Sequence, residues 1–185
     1  MSLLTRRAAL VGPLALVVVG GAGFAAMLSR MQQGKFDPRG VPSALVGKPV
    51  PGFVLPGLGD GSGFASSELG SLGRPVLLNF FASWCVPCVA EAEVLMALKR
   101  SGQPVFGVAY KDKAEATAAF LREHGDPYAR IGRDVQGSVA IDFGLYGVPE
   151  TYLVATSGIV QGRWAGALTA EIVQQELMPL IKTLA

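Results

Sequence analysis

The chain has 185 residues, with 16 Lys and Arg, 14 Asp and Glu, two Cys and one His. Charged residues make up 16 % and apolar residues 50 %, against about 25 % charged in an average soluble domain, which excludes intrinsic disorder and a polyelectrolyte tail. So few cysteines and histidines exclude a disulfide-knit scaffold, a tetrathiolate zinc site and a histidine-rich metal centre, and no cofactor is implied. Residues 1–40 hold five positive charges and one negative, whereas the rest holds 11 positive and 13 negative. A mildly acidic body does not advertise nucleic-acid binding.

Ala8 to Leu28 is uncharged over 21 residues, enough for a helix of about 30 Å, the thickness of a bilayer's hydrocarbon core. Arg6 and Arg7 precede it, which favours a cytoplasmic N-terminus. A cleaved signal peptide ending near Gly23-Phe24-Ala25 is the competing reading, but the apolar core exceeds the usual 7–15 residues, so an uncleaved anchor is preferred. Thr5-Arg6-Arg7 carries only a fragment of a twin-arginine export signal. Each reading places the remainder across the membrane. The expected organisation is a cytoplasmic N-terminus and anchor over 1–29, a linker over 30–46 containing Gly34, Pro38, Gly40 and Pro42, and an exported domain over 47–185.

In that domain, Pro75 to Phe81 is an almost continuous apolar run, as in a central strand buried on both faces. Helical spacing follows over Val86 to Arg100, then a second buried strand over Pro104 to Tyr110. The next helix is predicted from Asp112, as N-cap, to His124, with Gly125 as its stop. A short helix is predicted over Gly137 to Phe143. Thr151–Val154 and Ile159–Trp164 flank the turn residues Thr156-Ser157-Gly158, a β-hairpin. Thr169 caps a last helix to about Leu184, with a kink expected at Pro179. This order implies an α/β fold: a mixed sheet with helices on both faces, its two central strands parallel and its hairpin antiparallel.

Both cysteines lie in Ser83-Trp84-Cys85-Val86-Pro87-Cys88, where the buried strand hands over to a helix. Unpaired N–H groups and the positive end of a helix stabilise a thiolate at Cys85, expected exposed in the loop. Cys88 lies one turn in, within bridging distance and facing inward. Pro87 fits the first turn, where its missing N–H costs little. The pair reads as an attacking thiolate with a resolving thiol. A structural disulfide across so small a loop stabilises little, and His124, read as a surface or core residue, is the only imidazole for a metal. A peroxidatic cysteine wants Pro and Thr or Ser upstream, where Leu78 and Ala82 stand.

Trp84-Cys85-Val86-Pro87-Cys88 with the later Gly147-Val148-Pro149 resembles the thioredoxin superfamily. Gly47-Lys48-Pro49-x-Pro51-x-Phe53-x-Leu55, Tyr110-Lys111-Asp112 and Gly144-Leu145-Tyr146-Gly147-Val148-Pro149-Glu150-Thr151 narrow the resemblance to the membrane-anchored DsbE/CcmG proteins of cytochrome c maturation. The resemblance implies a thioredoxin-like fold behind one transmembrane helix, in a monomer anchored once in the bacterial inner membrane with its catalytic domain in the periplasm. It implies reduction of the haem-attachment disulfide of apocytochrome c, or of a CcmH-like haem-ligation or thioreduction partner. A CcdA/DsbD-like membrane thiol carrier would be the upstream donor. Two alternatives stay open: a reductase for another exported protein, and a non-enzymatic apocytochrome chaperone or docking module.

By the same resemblance Pro149 is cis, leaving the Val148 backbone facing Cys85 to pair with an extended substrate; taken alone, Pro149 reads as a turn proline. Thioredoxins carry a buried Asp six residues before the first cysteine; Asn79 stands there and cannot take a proton. Glu91, three residues after Cys88, is therefore the candidate proton acceptor, with a pKa raised by burial; the alternative is a solvated helix glutamate. Glu150, and with it Asp142, is expected at the rim of the groove, where a carboxylate would raise the Cys85 pKa and select substrates. Trp84 is expected to shield the dithiol, unless it is a core tryptophan. The candidate catalytic residues are thus Cys85, Cys88 and Glu91, and the substrate-binding ones Trp84, Val148, Pro149 and Glu150.

Overall fold

The computed structural model describes residues 16–29, 43–59 and 61–184. The chain falls into two units, Met1–Val41 and Pro42–Ala185. In the first, residues 16–29 form a helix, α1, whose apolar side chains, among them Leu16, Val17, Val18 and Phe24, are exposed. Residues 8–15 of the expected anchor and residues 30–42 of the expected linker lie outside the described residues. Among the described residues no helix is long and apolar enough to cross a membrane.

The second unit is built on a five-stranded sheet. Its strands are β3 (Val76–Phe81), β4 (Val105–Tyr110), β5 (Arg130–Asp134), β6 (Glu150–Val154) and β7 (Val160–Ala165), in the order β5-β4-β3-β6-β7. β3 pairs parallel with β4 and antiparallel with β6, so the sheet is mixed. β1 (Val54–Leu55) and β2 (Phe64–Ala65) form a separate small antiparallel pair.

Every residue of β3 is buried, and side chains alternate between two cores. Leu77 and Phe81 face the core shared with Cys88, Leu95 and Leu98 of α3 (Val86–Arg100), Phe120 of α4 (Ala114–His124) and Leu177. Val76, Leu78 and Phe80 face the opposite core with Leu55, Phe64, Leu69 of α2 (Ser66–Leu69), and Val139 and Ala140 of α5 (Ser138–Asp142). The expected helices on both faces are therefore present.

The structure departs from the sequence reading at several elements: β1, β2 and α2, which precede the first predicted strand, were not expected, and three others differ. Strand β5 was not expected, because Arg130-Ile131-Gly132-Arg133-Asp134 offers one apolar side chain; its charges suit an edge strand. The N-cap of α4 is Lys113, not Asp112, whose carboxylate is engaged elsewhere. Thr169 Oγ1 does accept the Ile172 N–H, but the final helix is interrupted: α6 (Ala170–Ile172) passes through a π turn, Val173–Leu177, into α7 (Met178–Leu184). Pro179 has no N–H to return to the preceding turn, and widening that turn accommodates it.

Gly107 on β4 sits under the stacked rings of Phe81 and Tyr128, 4.6 Å apart. A Cβ there would lie 2.8 Å from Tyr128 Cγ and 3.0 Å from Phe81 Cε1. Neither buried ring can swing away, so we expect Gly107→Ala to cost about 1–3 kcal/mol of stability. Urea unfolding of the purified protein checks it.

Candidate active site

β3 ends at Phe81, and four residues later Cys85 caps α3. The Cys85 backbone is extended (φ −93°, ψ 103°), and its Sγ accepts the Cys88 N–H at 3.2 Å. A sulfur there occupies the place of a capping oxygen, at the positive end of a fifteen-residue helix. Cys85 and Cys88 are joined by a disulfide, with Cα atoms 5.3 Å apart. Contrary to the expected exposure, Cys85 is only 3 % accessible, because its side chain turns inward to the capping bond and to Cys88; the neighbouring Val86 is open to solvent.

The sequence-predicted residues divide between the two faces of the sheet. On the α3 face Glu91 is fully buried. Its Oε1 accepts from Asn79 Nδ2 at 2.9 Å and its Oε2 from the Leu168 N–H at 2.9 Å. Burial pushes the carboxyl up from 4.5 to about 7, against those two hydrogen bonds, which lower it. The Asn79 amide is fixed in turn, since Nδ2 also donates to Thr151 Oγ1 at 3.0 Å and Oδ1 accepts the Tyr128 hydroxyl at 2.8 Å. Burial holds the Tyr128 hydroxyl protonated, its pKa well above the ordinary value. Tyr128 and Thr151 were not singled out from sequence; 49 and 72 residues separate them from Asn79.

Glu150 lies on the other face. It is not a rim charge: it is 0 % exposed, and strand alternation points it with Tyr152 and Val154 away from α3. Arg163 of β7 grips it through Nε to Oε1 at 2.6 Å and Nη2 to Oε2 at 3.0 Å, and the Tyr152 hydroxyl donates to Oε1 as well. Arg163 also lies over the Tyr146 ring, 5.2 Å from its centroid. Asp142, its expected companion, is exposed at the end of α5.

The Val148–Pro149 peptide is cis, as the resemblance implied. Val148 packs against the cluster that contains both cysteines, and the Pro149 carbonyl accepts the Gly166 N–H at 2.9 Å. Trp84 is not a core tryptophan; it is 57 % exposed, with Nε1 3.4 Å from the Lys111 carbonyl and its ring 6.4 Å from Tyr110. Cys85 and Cys88 thus share one core, Val148 packs against that core and the opposite one, and Glu150 lies on the face away from the cysteines.

A dithiol of this spacing at a helix N-terminus, in a mixed sheet with flanking helices, defines a thiol–disulfide oxidoreductase. Residues 46–163 match the AhpC/TSA family. The chain is 38 % identical to thiol:disulfide interchange protein DsbE of Escherichia coli (strain K12) over 95 % of its length and 94 % of that protein. It is 40 % identical to thiol:disulfide interchange protein HelX of Rhodobacter capsulatus, covering 90 % of this chain and 92 % of that one. Among solved structures, MTB dsbF in its mixed oxidized and reduced forms superposes with a TM-score of 0.60 at 29 % identity, over 72 % of this chain and 95 % of that one. A thiol-disulfide oxidoreductase from Bacteroides fragilis shares the fold, with a TM-score of 0.61 at 23 % identity over 72 % and 99 % of the two chains. The chain belongs to the DsbE family of thiol:disulfide interchange proteins.

Two predictions follow from the buried carboxylates. Glu91 binds its proton more tightly in the folded chain, so its contribution to stability is full below pH 4.5 and is lost as pH rises towards 7, by on the order of 3 kcal/mol. Urea unfolding of the oxidised protein at pH 4 to 8 should show that decline relative to Glu91→Gln. Arg163→Ala strands the Glu150 carboxylate inside the protein and should cost about 3–5 kcal/mol. Urea unfolding of the variant at neutral pH measures the loss.

Proposed function

We propose that this chain is a periplasmic reductant, held to the inner membrane by its N-terminus, that opens the haem-attachment disulfide of apocytochrome c or of a CcmH-like partner carrying it. The observation that carries the reading is the Cys85 sulfur at the N-cap of α3, bonded to Cys88 within the core cluster against which Val148 of the cis-proline segment packs. Supporting it are the DsbE and HelX relatives, matched over nine-tenths or more of both chains. An apolar helix exposed on all sides over residues 16–29 favours an anchor, since such a surface calls for a lipid environment.

In the forward reaction the Cys85 thiolate attacks one sulfur of the substrate disulfide, and the other sulfur leaves as a thiolate that takes up a proton. Cys88 then gives its proton to Glu91, buried one turn further along the same helix face, and its thiolate attacks Cys85 Sγ. The second substrate sulfur leaves and is protonated, completing a two-electron reduction of the substrate and oxidation of the pair to the Cys85–Cys88 disulfide. A carboxyl that titrates near 7 can accept and release that proton at neutral pH. Val148 offers its backbone to the extended substrate, and the exposed Trp84, next to Cys85 in the chain, adds apolar surface for it. A CcdA/DsbD-type membrane dithiol restores the reduced pair by the reverse exchange.

Cys88→Ser removes the resolving thiol and should stall substrates on Cys85 as mixed disulfides. Expressed in cells making c-type cytochromes, the variant should accumulate a dithiothreitol-sensitive adduct containing apocytochrome c or its haem-ligation partner. Capture of unrelated exported proteins alone would point to a reductase of another substrate. No adduct, with Cys85 still alkylatable, would overturn the reading in favour of a docking module.

A further inference from the structure

The Tyr110-Lys111-Asp112 segment links the end of β4 to α4 and takes no part in the chemistry above. Lys111 is the one non-glycine residue with positive φ among the described residues, at 45°. A lysine held there signals a turn fixed by its surroundings. Its N–H donates to the Asp134 carbonyl at 3.0 Å, which ties the turn to β5, and its own carbonyl faces Trp84 Nε1.

The next side chain reaches across to the dithiol loop. Asp112 is 8 % exposed and its carboxylate accepts four hydrogen bonds. Oδ2 takes the Ser83 N–H at 2.7 Å and the Thr117 hydroxyl at 3.0 Å. Oδ1 takes the Ser83 hydroxyl at 2.9 Å and the Lys113 N–H at 2.8 Å. Both hydrogen-bond donors of Ser83 are therefore spent on one carboxylate, two residues before Cys85. In the same loop the Cys85 N–H donates to the Ala82 carbonyl at 3.2 Å.

We propose that Asp112 is a positioning residue for the attacking thiol. By gripping Ser83 it fixes the chain between β3 and α3, so that Cys85 stays at the N-cap with its sulfur on the Cys88 N–H. In the oxidised protein the disulfide holds that sulfur in any case. Reduction removes this tether, and the Ser83–Asp112 clamp remains on the loop from outside its own helix, with the longer Trp84 Nε1 contact to the Lys111 carbonyl beside it. Its effect therefore falls on the reduced form, where a free Cys85 side chain could otherwise leave the cap and lose the stabilisation of its thiolate. The inference rests on Cys85 being the attacking thiol and is independent of which disulfide it attacks.

The test separates geometry from charge. Asp112→Glu keeps the charge but displaces the carboxylate by a methylene; Asp112→Asn keeps the size but loses acceptor capacity and charge. Cys85 ionisation is followed by thiolate absorbance at 240 nm, and its attack rate with oxidised glutathione under single-turnover conditions. We expect both variants to raise the Cys85 pKa by about one and to slow attack about three- to fourfold at a pH below it, the roughly tenfold loss of thiolate being offset in part by its greater nucleophilicity. Thr117→Val, which removes one bond on the α4 side only, should lower the urea midpoint while leaving both readouts within about twofold. A lowered Cys85 pKa in Asp112→Asn with no change in Asp112→Glu would mean that Asp112 acts by its charge, and would overturn the proposal. Variants that lose only stability, as Thr117→Val does, would overturn it equally. If the wild-type Cys85 itself fails to react, it is the oxidoreductase reading that falls.

Discussion

A sheet covered on both faces leaves no room for an unanswered charge, and this constraint sorts the polar residues of the molecule. α3 and β6 each carry one completely buried carboxylate into the interior, Glu91 on the Asn79 and Thr151 side of the sheet and Glu150 on the reverse. Their answers differ in kind. Glu150 meets a guanidinium in a two-pronged ion pair and a phenol, and the pair locks β6 to β7. Glu91 meets two neutral N–H donors, which compensate burial only in part, and its proton affinity rises to the neutral range. The same residue type is thereby a paired charge on one face and a carboxyl of raised proton affinity on the other.

Much of this was legible in the sequence. The unbroken run to Phe81, the cap-and-proline pattern at Cys85-Val86-Pro87 and the hairpin turn are local signals, and α3 begins and ends where its spacing places it. The burial of Glu91 and its raised pKa match what was expected of it. What escaped notice depends on parity and distance. Pairing of Phe80 with Glu150 brings Glu150 into the strand, one residue earlier than the Thr151 start read from sequence, and the pleat then sends it inward. Tyr152 opposes Arg163 across the hairpin, which makes Glu150 and Arg163 diagonal neighbours; the register of the turn was the signal that could have found them. Asp112 was misread by a single position: its partner Ser83 stands 29 residues away, and no local pattern betrays it.

The place of the site follows from topology. β3 is central, its parallel neighbour β4 on one side and its antiparallel neighbour β6 on the other. The carboxyl ends of β3 and β4 and the amino end of β6 therefore meet at one edge of the sheet. The chain leaves β3 in one direction for β4, while β6 flanks it from the other, the arrangement that opens a crevice in α/β sheets. Three segments converge there: the loop carrying Cys85, the β4–α4 turn with Asp112, and the Val148–Pro149 peptide leading into β6. Each is anchored to a different strand, so the sulfur is located by the whole sheet rather than by its own loop. A Cys-x-x-Cys pair on an edge strand such as β5 would keep the helix dipole but lose two of these three supports. Position at the centre of a mixed sheet thus supplies what the four-residue motif alone lacks, a fixed surrounding for a sulfur that must make and break a covalent bond in every cycle.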